Sequence, residues 1–568
     1  MKSLKLPSID KSWLWSSIYD VRSLLYKSIS ASVFISIFQI FTSLFVMAVY
    51  NKVIPNNAIT SLISLAVGVA VIAVFDFLMK LLKARLVDSA SDKIEGALQP
   101  KLFEKVLSWD LHKRPKLSGS SATLVKDLES ITELFANNTI TVAIGIPFVL
   151  VNLFIIWLVG SYLALVSFFI CLATILVSVF YYLKIASISD DAKKLSIDKT
   201  SVFLEASSNL EALKSIGSYK EFEDNWLEVD KKSRSVNSKL KVNLSDVSSL
   251  NSLIQGLGQI ILVSWGAFLV IGGEITSGGL IATVMLNGRT IQPLMQLASV
   301  LNRYSTARTS YSRIDNVFKS ISSEEARRQN IRIELVKPPI ICRDLSYRPD
   351  NLQRDLLAVN RLAIKEGDRI GVVGSVGSGK STFLKLLAGV LTPTSGTVTY
   401  GSFDTSAIHQ TDLRKSIAYL GQTPGIFSGS IRHNITLGSD DKENEERLLK
   451  VVSLTGLDLV LKNIPNGLSF ILSENGRELS GGQKQILALA RAMYSNPSTL
   501  LFDEPTSAMD PKHEMLFIKR MNSFVKDKTL IVVTHRKPIL ELTNRLIVID
   551  NGKISIDGKK DEVLARFK

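Results

Sequence analysis

Residues Asp368 to Leu391 read DRIGVVGSVGSGKSTFLKLLAGVL. A run of β-branched residues to Val373, a glycine-rich turn and a helically spaced apolar run follow one another directly, which predicts strand, loop and helix. Gly374, Ser375, Val376, Gly377, Ser378, Gly379, Lys380 and Ser381 spell G-x-x-x-x-G-K-S, and Thr382 continues into the helix. Such a loop wraps a triphosphate with backbone N–H groups at a helix N-terminus, and side chains on the glycines would block that approach. Lys380 brings a positive charge for the β- and γ-phosphates. The Ser381 hydroxyl suits Mg²⁺, an ion that takes few protein ligands and keeps phosphate oxygens and water around it. The ligand implied is ATP.

The chain has 568 residues, 46% of them hydrophobic, and a net charge of +15. That length exceeds one ordinary core, and the apolar content points to a part solvated by lipid. The two cysteines, Cys171 and Cys342, are far apart, so neither a disulfide framework nor a zinc site is expected. No basic module interleaved with aromatics is visible, and nucleic acid is not an expected partner. Met1 to Ser28 carries five basic residues without a short apolar core and small-residue cleavage site, so a cleaved signal peptide is not expected.

Six apolar runs, at about 29–50, 59–82, 138–158, 162–183, 250–272 and 279–298, match the roughly 20 helical residues that cross a hydrocarbon core. Lipid leaves the backbone no partner but itself, which makes them helices. Segments 83–137 and 184–249 are rich in Lys and Arg, while the connections 51–58, 159–161 and 273–278 hold only Lys52 as a basic residue. That asymmetry places both termini in the cytoplasm. The long inner segments read helically, so the second to fifth spans are expected to continue beyond the membrane. Asp76, Gln255, Gln259 and Arg289 stand out inside the spans. Arg289 reads as a pathway residue, as half of an interhelical pair, or as the sign of a shifted span boundary.

Near Ser320 to Lys337 the composition turns charged, and beyond Pro338-Pro339 it is that of a soluble α/β domain. The expected division is a membrane domain over 1–322, a linker over 323–337 and an ATPase domain over 338–568. Within the last, Thr499 to Glu504 (TLLFDE) predicts a buried strand that delivers Asp503 toward Mg²⁺ and Glu504 toward the attacking water. LSGGQ, Leu479 to Gln483, opens a helical run, so Ser480, Gly481, Gly482 and Gln483 offer hydroxyl and N–H groups at a helix start. Tyr347 has a ring suited to adenine, or alone is a core tyrosine.

Phosphate loop, Gln422 before TPGIFSGSIRHNI, LSGGQ, FDEPTSAMD and VVTH, in that order, resemble the nucleotide-binding domain of ABC transporters. The resemblance implies that Gln422 senses Mg²⁺ and the attacking water, that Asp510 lies in the loop joining two ATP sites and that His535 contacts the γ-phosphate. It also implies two chains, since each ATP is gripped by the phosphate loop of one domain and the LSGGQ of the other. His112, His409, His433 and His513 match no motif position.

MAVYNKVIPNNA, GIPF, NGRTIQPL, SAMD and THRKPILELTNRLIVIDNGKI are further similar to type I secretion transporters. These imply a homodimer in the bacterial inner membrane that exports polypeptide, with a periplasmic membrane-fusion adaptor and an outer-membrane channel as partners and membrane lipid around it. An acidic residue is common in that family where Gly145 stands, and many members carry a peptidase-like domain before the first span; with 28 residues preceding it here, none is expected. The same fold also serves exporters of lipid or small hydrophobic molecules, and a non-pumping nucleotide-gated channel is a third reading. Glu504, Gln422 and His535 together speak against the channel.

Overall fold

Five helical stretches are long and apolar enough to cross a membrane, at Arg22–Val53, Ile59–Leu107, Thr123–Gly160, Leu163–Ser208 and Tyr219–Ile271, among the described residues, the third made of more than one element. These belong to a computed structural model that describes residues 13–107, 118–135, 137–320, 331–349, 352–437 and 444–566. His112 and positions 323–330 of the expected linker lie outside the described residues. The chain divides into two compact units, one gathering the described residues up to Ser320 and the other those from Ile331 onward.

In the first unit α1 is Trp13–Asp20, α2 Arg22–Ala48, α3 Ile59–Leu107, α4 Ser118–Thr132, α5 Asn137–Gly160, α6 Leu163–Ser208, α7 Leu210–Ile216, α8 Tyr219–Ile271, α9 Ser277–Met295 and α10 Leu297–Ser320. Helices α3, α6 and α8 run for 49, 46 and 53 residues, about 70–80 Å at 1.5 Å per residue. That is more than twice a hydrocarbon core of about 30 Å. The third run differs, because α5 has 24 residues and α4 stands before it as a separate element. The sixth run falls on α9, which is not among the five apolar helices. Thr283, Asn287, Arg289, Thr290 and Gln292 lower its apolarity, and the helix ends soon after Pro293.

Close helix contact here rests on small residues, as expected where lipid supplies no hydrophobic drive between helices. A Cβ on Gly258 of α8 would fall 2.4 Å from Ile170 of α6, and one on Gly266 would fall 2.1 Å from Leu280 of α9. At Gly145 of α5 a Cβ would lie 2.6 Å from Pro293. The approach of α5 to α9 therefore leaves no space for the acidic residue common at that position in the secretion family.

The second unit is built on a sheet of order β12-β11-β3-β10-β9-β6, with β3 Arg369–Val373, β6 Ile417–Leu420, β9 Thr499–Asp503, β10 Thr529–Val533, β11 Arg545–Asp550 and β12 Lys553–Lys559. All pairings are parallel except that of β11 with β12. β9 and β10 are buried at every residue, the continuous apolar pattern of a sheet covered on both faces. A second, antiparallel sheet orders β2 (Leu357–Ile364), β1 (Ile340–Tyr347), β4 (Ser395–Tyr400) and β5 (Phe403–Asp404). The register pairs Leu530 with Arg369 and Leu500 with Leu530. The C-terminal ends of β3, β9 and β10 thus lie side by side, and in an open α/β sheet that edge is where a ligand binds.

Candidate nucleotide site

Strand β3 ends at Val373, and the chain turns through Gly374, Gly377 and Gly379 at φ values of 154°, 80° and 97°, a region that side chains rarely enter. A Cβ on Gly374 would lie 2.0 Å from the Ile549 carbonyl oxygen, so this position requires glycine on spatial grounds as well. Val376 is 92% exposed at the tip of the loop. The helix Lys380–Leu387 starts directly behind it, its apolar face formed by buried Phe383, Leu384 and Leu387.

Lys380 folds back across the loop, its Nζ donating to the carbonyls of Gly374 at 2.9 Å and Ser375 at 2.8 Å. Burial lowers its ammonium pKa, while the carboxylates of Glu504 and Asp503 act to raise it. Next to it, Ser381 is hydrogen-bonded to Asp503, which is 2% exposed at the end of β9. Burial pushes the Asp503 carboxyl above the usual aspartate range; the Ser381 hydroxyl opposes that shift, Glu504 adds to it, and Lys385 and Lys380 oppose it. Hydroxyl and carboxylate side by side form a hard oxygen donor set of the kind Mg²⁺ accepts.

Glu504 itself sits at φ 49°, a left-handed conformation that is uncommon for a side chain of this size. Its backbone is held there: its N–H donates to Val533 at 2.9 Å, and its carbonyl accepts from Gln485 Nε2 at 2.7 Å and from the Ser507 hydroxyl at 3.1 Å. The turn aims the carboxylate toward His535, whose Nε2 is 3.9 Å from Oε1. Gln422 joins Ser381, Asp503, Tyr419 and Arg491 around a cavity of about 490 Å³.

Ser480 caps the helix Gly481–Tyr494. Its Oγ accepts from the N–H of Gln483, and Gln483 Oε1 accepts from the Ser480 N–H at 2.8 Å. Gly482 is required by proximity, since a Cβ there would fall 2.6 Å from the Ala508 carbonyl oxygen. Asp510 caps the next helix, Pro511–Phe524, through the N–H groups of Lys512 and His513. Those hydrogen bonds, the one from His513 first, hold its carboxyl below the usual range. None of Ser480 to Gln483 lines the cavity that holds Ser381, Gln422 and Asp503. Tyr347 is 6% exposed and packs against the core around β1 and β2.

Three contributors were not evident from motif reading. Gln485, 2% exposed, donates to the Glu504 carbonyl and accepts from the Ala508 N–H at 3.0 Å, tying the LSGGQ helix to the end of β9. Arg536 donates to the carbonyls of Ser507 at 2.9 Å and Met509 at 3.1 Å, and to Glu514 at 3.0 Å. Burial, with Asp503 adding to it, pushes the Tyr419 phenol up to about 12. The signal available was adjacency: Gln485 lies two residues beyond LSGGQ and Arg536 directly follows His535.

The family model for the ABC transporter matches residues 357–507, which contain the phosphate loop, Gln422, LSGGQ, Asp503 and Glu504, and that for the ABC transporter transmembrane region matches residues 25–294. The chain belongs to the ABC transporters. As such it binds ATP, hydrolyses it to drive transport and is a multi-pass membrane protein. This ABC transporter is 28% identical over 564 residues to the leukotoxin translocation ATP-binding protein LktB of Mannheimia haemolytica, covering 99% of this chain and 79% of the relative. It has the same identity and coverage with LktB of Bibersteinia trehalosi. Its fold is like that of a bacterial Atm1-family ABC exporter with ATP bound, at a TM-score of 0.82 and 20% identity over 98% of this chain and 97% of that one.

Proposed function

We propose that this ABC transporter exports polypeptide across the bacterial inner membrane as the ABC component of a type I secretion system. The observation that carries this reading is the 28% identity, over 99% of the chain, to a protein named for leukotoxin translocation. The membrane-domain stretches quoted above support it independently of the ATPase motifs.

The working unit is a twofold homodimer. Each chain has a membrane domain over 1–322 with six spans, a linker over 323–337 and a nucleotide-binding domain over 338–568, with both termini and the ATPase cytoplasmic. A periplasmic membrane-fusion adaptor and an outer-membrane channel complete the route. In the ATP site the backbone of Gly374 to Gly379 and Thr382 cradles phosphate, Lys380 meets the β- and γ-phosphates, and Tyr347 borders adenine. Ser381, Asp503 and Gln422 hold Mg²⁺, which would neutralise phosphate charge. Glu504 polarises the attacking water and His535 contacts the γ-phosphate. Ser480 to Gln483 and Asp510 complete the site of the second chain. Nucleotide binds the closed ATPase pair more tightly than the open pair, and that differential shifts the membrane domain between inward and outward states.

The test compares secreted proteins of a wild-type strain with those of a strain carrying Glu504→Gln, together with crosslinked partners recovered with the transporter. The expected result is loss of one or a few secreted proteins, with an adaptor among the crosslinks. An unchanged secretome with altered membrane lipids would overturn the reading in favour of lipid export.

A further inference from the structure

A cavity of about 420 Å³ lies inside the membrane unit, among α2, α3, α5 and α9, within the ordinary range of small-ligand sites, about 300–1,000 Å³. Its lining includes Gln39, Lys83, Asn152, Arg289, Gln292 and Gln296. Lys83 is 5% exposed and donates to Thr141 Oγ1 at 2.6 Å. Lys80 also faces the cavity, and no Asp or Glu lines it among the described residues. The acidic group set against this cluster is Asp76, whose Oδ2 is taken by Lys80 at 2.6 Å. Three cations against one carboxylate leave a surplus of two positive charges.

Charge in the lipid-embedded part of a protein is expensive and commonly marks a binding or transport path. The structural alternative is an interhelical pair, and the atoms speak against it. Arg289 Nη1 and Asp76 Oδ1 are both buried, and neither has a hydrogen-bond partner among the described residues. A pair formed for stability would close these two atoms on each other. Asn152 Oδ1 and Gln296 Oε1 are likewise buried without a partner. The cavity therefore asks for two things at once, an oxyanion for the cations and N–H donors for the amide oxygens.

We propose that this cavity is a binding site for an acidic polypeptide segment, with Lys83 and Arg289 holding a side-chain or terminal carboxylate and Asn152 and Gln296 accepting from peptide N–H groups. A phosphate headgroup shares the anionic chemistry but brings no row of N–H donors. The proposal rests on the polypeptide-export reading and adds a charge preference to it.

The experiment uses full-length transporter in zwitterionic-lipid nanodiscs without nucleotide, and fluorescence anisotropy of a labelled six-residue peptide rich in Asp and Glu against its Asn and Gln counterpart. The acidic peptide should bind roughly ten-fold or more tightly, the order expected when a charge-assisted contact is lost. Arg289→Gln and Lys83→Met, checked for dimer assembly by size-exclusion chromatography, should each remove most of that preference, and Arg289→Lys should restore part of it. If a variant does not assemble, a photocrosslinker at Ile144, which also lines the cavity, must capture the acidic peptide in preference to the amide one. Equal binding of the two peptides by wild type, or a preference that survives in assembled variants, would overturn the site. Loss of peptide binding in anionic-lipid nanodiscs, relieved by Arg289→Gln, would assign the site to a headgroup and overturn the peptide. A failed site with secreted proteins still lost in the Glu504→Gln strain would leave polypeptide export standing. An unchanged secretome beside charge-selective peptide binding would remove only the export reading.

Discussion

The ATPase unit and the membrane unit both bury charge, but they satisfy it differently. In the ATPase unit Lys380 is anchored on two carbonyls of its own loop, and Glu514, 4% exposed, accepts from Thr506 at 2.6 Å and Arg536 at 3.0 Å. In the membrane unit apolar side chains face outward, as at Phe268 and Leu150 with 75% and 70% exposure, while Arg289, Asp76, Asn152 and Gln296 carry buried atoms without partners. In another part of the same unit the charges are closed on each other: Asp127, 2% exposed, meets Lys193 at 2.7 Å and Arg313 at 2.9 Å, and accepts from Ser310 at 3.1 Å. Burial alone therefore does not mark function. A buried charge costs free energy unless an opposite charge meets it, so the cluster whose cations are not closed on a carboxylate is the one that points to a ligand.

The largest effect should arise where the polar network is closed around chemistry. Glu504→Gln keeps the side-chain shape and the backbone bonds to Val533 and Gln485, so ATP binding should remain near wild type while hydrolysis falls roughly 10²–10⁴-fold. Purified transporter in nanodiscs gives both numbers, and near-normal turnover would remove Glu504 from that role.

An intermediate effect is expected at the paired charges of the membrane unit. Asp127→Asn leaves Lys193 and Arg313 facing each other without their shared carboxylate, which should destabilise the unit by about 3 kcal/mol. The readout is the apparent Tm of the purified protein, with Arg289→Gln as the comparison. If charge pairing separates the two clusters, Arg289→Gln must lower Tm by much less; equal losses would erase the distinction.

The smallest effect concerns Asp503, whose carboxyl is raised above the ordinary range, first by burial. A raised folded-state pKa contributes stability that is complete below the unfolded-state value and is lost as pH rises through the folded one. In its ionised form Asp503 is thus a burden on the nucleotide-free fold. Asp503→Asn should raise the apparent Tm at pH 7 by a small amount, on the order of 2–4 °C, with the gain shrinking as pH falls through the carboxylate range. A lowered Tm at pH 7 would show that the hydrogen bond with Ser381 outweighs desolvation.

What the sequence determined by itself was whatever consecutive residues dictate. Gly374 to Ser381 specify a loop because each left-handed φ belongs to a glycine in that one stretch. Thr499 to Asp503 announce a buried strand by the apolar run Leu500 to Phe502, and the early runs announce lipid by length. Only the tertiary structure decided the rest. Gln485 grips the Glu504 carbonyl across 19 positions of sequence, and the Tyr347 ring is left only 6% exposed. The exclusion of a side chain at Gly145 follows from Pro293, far along the chain. The cationic cavity gathers residues from four helices. A helix that is apolar almost all round does not declare which face meets which neighbour. A phosphate loop carries its geometry in its own backbone, whereas a cavity between helices exists only once packing has chosen their faces.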